Sequence, residues 1–241
     1  MIDELRLLRG DDFVVADKIT VHHAKLSEIV DLGESNYYSA VSSICATPSD
    51  YKAVLYDNFD IDWEDVEEFE FFLMMWSSLD TENTKLLLPD IECEKFQIVQ
   101  KTETGEVGLY NSETDTFINK AMYEELVEYI RKIHGLSKRV DKAGNESTKK
   151  YLLKKARREA KSQDKKYKST LAPLVSGMVN STEFKYDHRT VWDLNIYQFM
   201  DSVKRIQKIK DVNNIVHGIY SGNVDSKKIS KDTLNWLGCV E

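Results

Sequence analysis

Cysteine, proline and glycine are all scarce: three, three and ten in 241 residues. Cys45, Cys93 and Cys239 are odd in number and share no close spacing, so a disulfide framework and a structural zinc site are both poor readings. So few turn-forming residues argue against a sandwich or barrel and for helix. No apolar run approaches the roughly 20 residues that a membrane span requires. The first residues, MIDELRLLRGDD, lack the apolar core of a signal peptide. The expectation is a protein made and used in a reducing cytoplasm.

Enough remains to build a core. Hydrophobic residues make up 41% and aromatics 10% of the chain, which suits one large or two small globular domains and not global disorder. Charge is sorted along the sequence. Met1 to Ile130 carries 29 acids against 9 basic residues, Arg131 to Lys168 carries 15 basic residues against 4 acids, and the remainder is nearly balanced. An acidic body followed by a basic, helix-compatible arm points to a binding protein with two electrostatically different surfaces.

Residues Phe13 to Val21 are rich in β-branched side chains around Ala16-Asp17-Lys18 and read as a hairpin. Leu26, Ile29 and Val30 then start a helical period that Gly33 ends, and a second helix from Asn36 to about Cys45 buries Tyr37, Val41 and Ile44. Thr47-Pro48-Ser49-Asp50 reads as a helix start, with Thr47 as cap, for a helix to about Tyr56. Asp62 caps a fourth helix whose stripe is Trp63, Val66, Phe69, Leu73 and Trp76, widened by Phe71, Met74 and Met75.

Leu86 to Lys120 reads as a small antiparallel insertion of three or four strands, KLLLP, KFQIVQK, EVGLYN and TFIN. Helical period returns with Met122, Leu126, Tyr129, Ile130 and Ile133, stopped by Gly135. Asp141 to Ser147 is a polar break and a candidate hinge. The helix after it, to about Tyr167, has few apolar residues beyond Leu153, so a protruding or weakly packed helix is expected over Lys149 to Lys166. Ser169 to Ser181 gives a short helix. An amphipathic one follows through Leu194, Tyr197, Met200, Val203 and Ile206, and a last turn carries Trp236. The predicted fold is α+β and predominantly helical: a short N-terminal hairpin, a helical body, an antiparallel insertion, an exposed basic helix and a C-terminal helical group. Its divisions are an acidic domain over 1–140 with the insertion at about 86–120, a basic arm over 141–168 and a helical segment over 169–241.

Chemistry-bearing motifs are sparse. His22 and His23 point to opposite faces of a strand and cannot chelate one ion together. His134 and His217 lie near glycines at helix ends with no carboxylate or cysteine at a meaningful spacing. Eight acids fall between Asp57 and Glu70. Counted from Asp60, the glycine and the twelfth-position glutamate of a calcium loop are missing, and a solvated helix face is the better reading. No glycine loop matches a phosphate-binding pattern and no nucleophile elbow occurs. The expectation is no enzyme activity, no metal and no cofactor. The one candidate interaction site is the arm formed by Lys149, Lys150, Lys154, Lys155, Arg157, Arg158 and Lys161. It has the charge to meet a phosphate backbone but only Tyr151 and Tyr167 for stacking. The stronger reading is an arm that is exposed, or that docks on an acidic surface of another subunit or of its own N-terminal half.

The opening order FVVADKITVHH, KLSEIVDLGESNYYSAVSSI, TPSDYKAVL and IDWEDVEEFEFFLMM, with VWDLNIYQFMDSVKRIQKI near the end, resembles small proteins of phage and prophage structural-gene clusters in Firmicutes. Some of these are tail assembly chaperones. The resemblance covers about the first 80 residues and about 30 near the end, as a general pattern without an invariant motif. It implies a mostly helical, non-enzymatic protein of the host cytoplasm that binds tape measure and tail tube proteins during virion morphogenesis, with self-association also open. The insertion and the basic arm depart from that pattern. They leave room for a nucleic-acid-associated phage protein, or another head or tail component, as the alternative.

Overall fold

Capping residues and the few glycines set most of the element boundaries. A computed structural model of the chain describes residues 3–162 and 167–239. In order the elements are α1 (Glu4–Arg9), β1 (Phe13–Ala16), β2 (Ile19–Val21), α2 (Leu26–Leu32), α3 (Glu34–Ile44), α4 (Lys52–Phe59), α5 (Glu68–Met75), α6 (Thr81–Thr84), β3 (Gln97–Gln100), β4 (Val107–Asn111), β5 (Thr116–Ile118), α7 (Lys120–His134), α8 (Glu146–Ser162), α9 (Leu171–Val179) and α10 (Ile196–Tyr220). The fold is α+β and mostly helical, with an antiparallel hairpin β1–β2 and an antiparallel sheet in the order β3–β4–β5. The chain forms two compact units, one of Asp11–Ala24 and Glu28–Lys168, the other of Asp3–Gly10, Lys25–Ser27 and the residues from Ser169 on.

The first unit is organised around α7. Asn119 caps it by accepting from the Met122 N–H, and Gly135 ends it in the left-handed region at φ 63°, its N–H turned back to the carbonyls of Arg131 and Lys132. Tyr123, Leu126, Val127, Tyr129, Ile130 and Ile133 are buried along it. The hairpin packs on one side, where Phe13 stacks on Tyr129 at 4.0 Å between centroids and the Tyr129 hydroxyl meets His23 Nε2 at 2.7 Å. On another side His134 donates from Nδ1 to the Ile130 carbonyl, so its Nε2 accepts from the Tyr37 hydroxyl of α3 at 2.8 Å. Burial pushes this imidazole down to about 4, which keeps it neutral.

Trp63, Phe69, Leu73 and Trp76 are buried, as their spacing predicts. The helix itself is shorter than expected. Residues 63–66 form a turn, α5 starts at Glu68, and Trp76–Ser78 continue as a single 3-10 turn. Met74, read as part of the apolar arc, is 54% exposed. Thr47 does not cap a helix either. Its N–H and hydroxyl both donate to the Asp50 carboxylate, at 2.9 and 2.8 Å, which closes a separate turn and delays α4 to Lys52. KLLLP is not a strand: Leu87 and Leu88 are buried in a turn that follows α6, and the sheet has three strands.

In the second unit α1, absent from the sequence expectation, begins at an Asp3 cap and ends at Gly10. Gly10 sits at φ 84°, and a Cβ there would fall 2.4 Å from Asn195 Nδ2. Asn195 and Gln198 form a capping box that starts α10 at Ile196. That start sets the phase. Ile196, Phe199, Ile206 and Val212 are the buried residues, while Tyr197, Met200 and Val203 of the expected stripe are only half-buried. Phe184 meets Phe199 edge-on at 6.3 Å, and Arg205 Nη1 donates to the Trp236 and Gly238 carbonyls, holding the last turns against α10. Trp236 itself is 48% exposed. Among the described residues no helix is long and apolar enough to cross a membrane.

The basic helix does not protrude. α8 packs along α4, with Leu153 and Ala156 buried; the expected arm at 163–166 lies outside the described residues. Leu153 joins Ala46, Leu55, Trp63 and Phe71 in one cluster that Leu152, Tyr51 and Val66 flank. Leu153 and Ala156 on successive turns, with Leu152 beside them, dock the helix, and the flanking ion pairs set its register. The packing predicts that Leu153→Ala lowers the unfolding free energy by about 2–5 kcal/mol, whereas Lys154→Ala on the outer face changes it by about 0.5 kcal/mol or less. Urea denaturation of the two variants measures the difference, and equal effects would contradict a docked α8.

Candidate functional site

The acids between Asp57 and Glu70 face the cations that follow α7. Arg157 grips Asp57 with two nearly parallel bonds, from Nε at 2.8 Å and Nη2 at 2.5 Å. Lys149 reaches Asp62 at 2.5 Å, its ammonium also lying 5.4 Å from the Tyr56 ring centre and 5.8 Å from that of Trp63. Glu64 accepts from the Ala143 N–H at 2.7 Å and Glu67 from Lys120 at 2.5 Å. Glu68 holds both Arg131 and Lys138, and Arg131 donates onward to the Cys45 carbonyl at 2.8 Å. The run is therefore a set of anchors, and the solvated helix face read from the sequence applies only to what they leave free.

Beneath these pairs lies a charged centre that the sequence does not announce. Lys52, on the first turn of α4, is 1% exposed. Its ammonium donates to Asp141 at 2.6 Å and to the Ser49 carbonyl at 2.7 Å. Asp141 also takes the Arg139 Nε at 2.9 Å, its N–H donates to Ser49 Oγ at 3.0 Å, and its carbonyl accepts from the Trp63 indole at 2.8 Å. Burial works to raise the Asp141 carboxyl, but Lys52 and Arg139 more than offset it and hold it below its ordinary range. Glu68 is held low in the same way, burial being outweighed by Lys138 and Arg131. The polar break at 141–147, read as a hinge, is thus tied to α4 and to the Trp63 turn through both backbone and side chain.

These contacts sort the seven candidate arm residues. Lys149 and Arg157 turn inward and spend their charge on the chain's own acids. Lys155 has Glu159 on the next turn at 3.8 Å. Lys150, Lys154, Arg158 and Lys161 are exposed and make no salt bridge among the described residues. Tyr151 is 65% exposed beside them. The structure therefore brings four of the seven to one outer face. Missed altogether were Lys52, Asp57, Asp62 and Asp141 as partners. A lysine between a tyrosine and an alanine carries no mark of burial, whereas the opposed charge of the two segments did mark the pairing.

The first unit carries several grooves. One of about 680 Å³ runs between α5 and α7 past Glu68, Tyr123, Val127 and Arg131, and one of about 460 Å³ lies beside α8 near Tyr51, Leu136 and Ala156. In the second unit a groove of about 490 Å³ follows α10, with Val212 and Ile215 as floor and Lys204 and Lys208 among its edges.

Removing one partner of a buried pair strands the other. Asp141→Asn leaves the Lys52 ammonium without its carboxylate and is predicted to cost about 3–5 kcal/mol. Arg157→Ala, which breaks an exposed pair, should lower the urea midpoint far less. Equal midpoints for Asp141→Asn and wild type would contradict this assignment.

No curated protein and no solved structure matches the chain. Residues 161–241 match the family model described as YomV second domain, a domain of a Bacillus prophage protein of unclear role, and this C-terminal likeness associates the chain with prophages.

Proposed function

We propose that the protein is a non-enzymatic virion-assembly factor of a prophage, of the tail assembly chaperone type, which binds tape measure and tail tube proteins in the host cytoplasm. The observation that carries the reading is the coincidence of two likenesses on one segment. The stretch VWDLNIYQFMDSVKRIQKI, which resembles proteins of phage structural clusters, lies within the residues that match the YomV second domain.

The geometry of that segment suits a helix binder. α10 runs for 25 residues, and past Ile206 its apolar residues recur as Ile209, Val212, Ile215, Val216 and Ile219. Of these only Val212 is fully buried. Tyr220, Trp236 and Leu237 are exposed nearby in sequence. A half-covered apolar stripe beside a groove is the arrangement that takes an amphipathic helix, with affinity from the floor and partner choice from the charged edges. The alternative, a nucleic-acid-associated protein, rests on the arm alone, and two of its seven cations are already held by Asp57 and Asp62.

Co-expression with the tail tube and tape measure proteins of the same prophage tests the proposal. The expected result is co-purification that survives moderate salt, because apolar burial is not screened, and loss of it when Ile215 and Ile219 are changed to Asp. Absence of any tail partner, together with submicromolar and salt-sensitive DNA binding, would overturn the reading.

A further inference from the structure

The outer face of α8 is unusual for a protein whose first 130 residues hold 29 acids and 9 cations. Lys150, Lys154, Arg158 and Lys161 follow one another at four, four and three residues, which keeps them on one side of the helix. Because Leu153 and Ala156 point the opposite side into α4, this face stays outward. Tyr151 sits three residues before Lys154 and seven before Arg158, inside the same stripe. A matching ridge exists on α7. Glu124, Glu125 and Glu128 are all exposed, and none makes a salt bridge among the described residues. Lys120, already held by Glu67, is close enough to Glu124 for the carboxylate to raise its pKa. Lys120 lies one turn before Glu124 and Lys132 one turn after Glu128, so the ridge occupies the middle of α7.

We infer that the outer face of α8 binds the acidic ridge of α7 on a second copy of this chain. Charge complementarity carries the choice of partner. The stripe and the ridge are helix faces of opposite sign with the same four-residue spacing, 150–154–158 against 124–128, and neither makes a salt bridge among the described residues. A polyanion is the weaker occupant, because the acidic body around the arm repels a phosphate backbone while the same excess supplies the ridge. The contact is heterologous, basic face on one copy and acidic face on the next, so copies add head to tail into rings or short filaments and do not stop at a symmetric dimer. It goes beyond the assembly reading, because it concerns how the protein binds itself.

Sedimentation velocity of the full chain tests this over a concentration series at about 0.01 M and about 1 M salt, between which the screening length falls from about 30 to about 3 Å. The wild type should form concentration-dependent oligomers at low salt and return to monomer at high salt. Reversing the stripe (Lys150→Glu, Lys154→Glu, Arg158→Glu) should leave monomer, and so should reversing the ridge (Glu124→Lys, Glu125→Lys, Glu128→Lys). Mixing the two reversed proteins should restore association, since each now offers the sign the other needs. Where a triple variant loses its circular dichroism, the milder Arg158→Glu and Glu128→Lys make the same exchange. A wild type that stays monomeric at low salt would overturn the inference. So would a mixture that fails to reassociate, or a stripe whose reversal abolishes binding of a single-stranded oligonucleotide while self-association is untouched.

Discussion

A buried ammonium is among the costliest groups a protein can enclose, and Lys52 is enclosed almost completely. It is tolerable only because Asp141 and the Ser49 carbonyl meet it directly, 89 and 3 residues away in sequence. That requirement reaches outward. To serve Lys52, Asp141 must sit beside the 47–51 turn, where its N–H finds Ser49 Oγ and its carbonyl finds Trp63. Residues 142 to 145 then leave from a fixed point, and α8 starts in register with α4. The hydrophobic contacts of Leu153 and Ala156 follow from that placement, and so does the division of the arm into an inner and an outer face.

The sorted charge of the sequence has a structural reading in the same terms. Acids crowded between Asp57 and Glu70 repel one another in any compact state unless cations are brought to them. Lys120, Arg131, Lys138, Lys149 and Arg157 all come from later in the chain and each meets one of these acids. Most of the pairs are partly exposed, so their worth lies less in stability than in register: a basic helix shifted by one turn would leave Asp57 and Asp62 unmet. Among the charges left outside these pairs are Lys150, Lys154 and Arg158 on α8 and Glu124, Glu125 and Glu128 on α7.

Local chemistry was legible wherever it decided the outcome. Asn119 and Gly135 bound α7, alternating β-branched residues make the hairpin, and large aromatics at helical spacing are buried around α5. The misses share a cause in competition between partners. At Thr47-Pro48-Ser49-Asp50 the Asp50 N–H goes to the Thr47 carbonyl and the Thr47 hydroxyl donates to the Asp50 carboxylate, so a turn forms where a cap was expected. In KLLLP, burial of Leu87 and Leu88 is met by a turn and needs no strand. On α10 the capping box fixes a phase that hydrophobic periodicity alone left ambiguous by one residue. Asp141 to Ser147 has the composition of a hinge, and only Lys52, far back in the chain, makes it an anchor. The four outward cations were legible as a charge run; which of the seven would be spent internally was not, because that depends on which side Leu153 faces.

The claim that the Lys52–Asp141 pair positions the basic helix is tested most directly by amide hydrogen exchange in Lys52→Met, read segment by segment under native conditions. If the pair anchors the connector, exchange across 146–162 should quicken by orders of magnitude while α10 keeps its wild-type protection. Unchanged protection of α8 in a variant that has lost Lys52 would contradict the account.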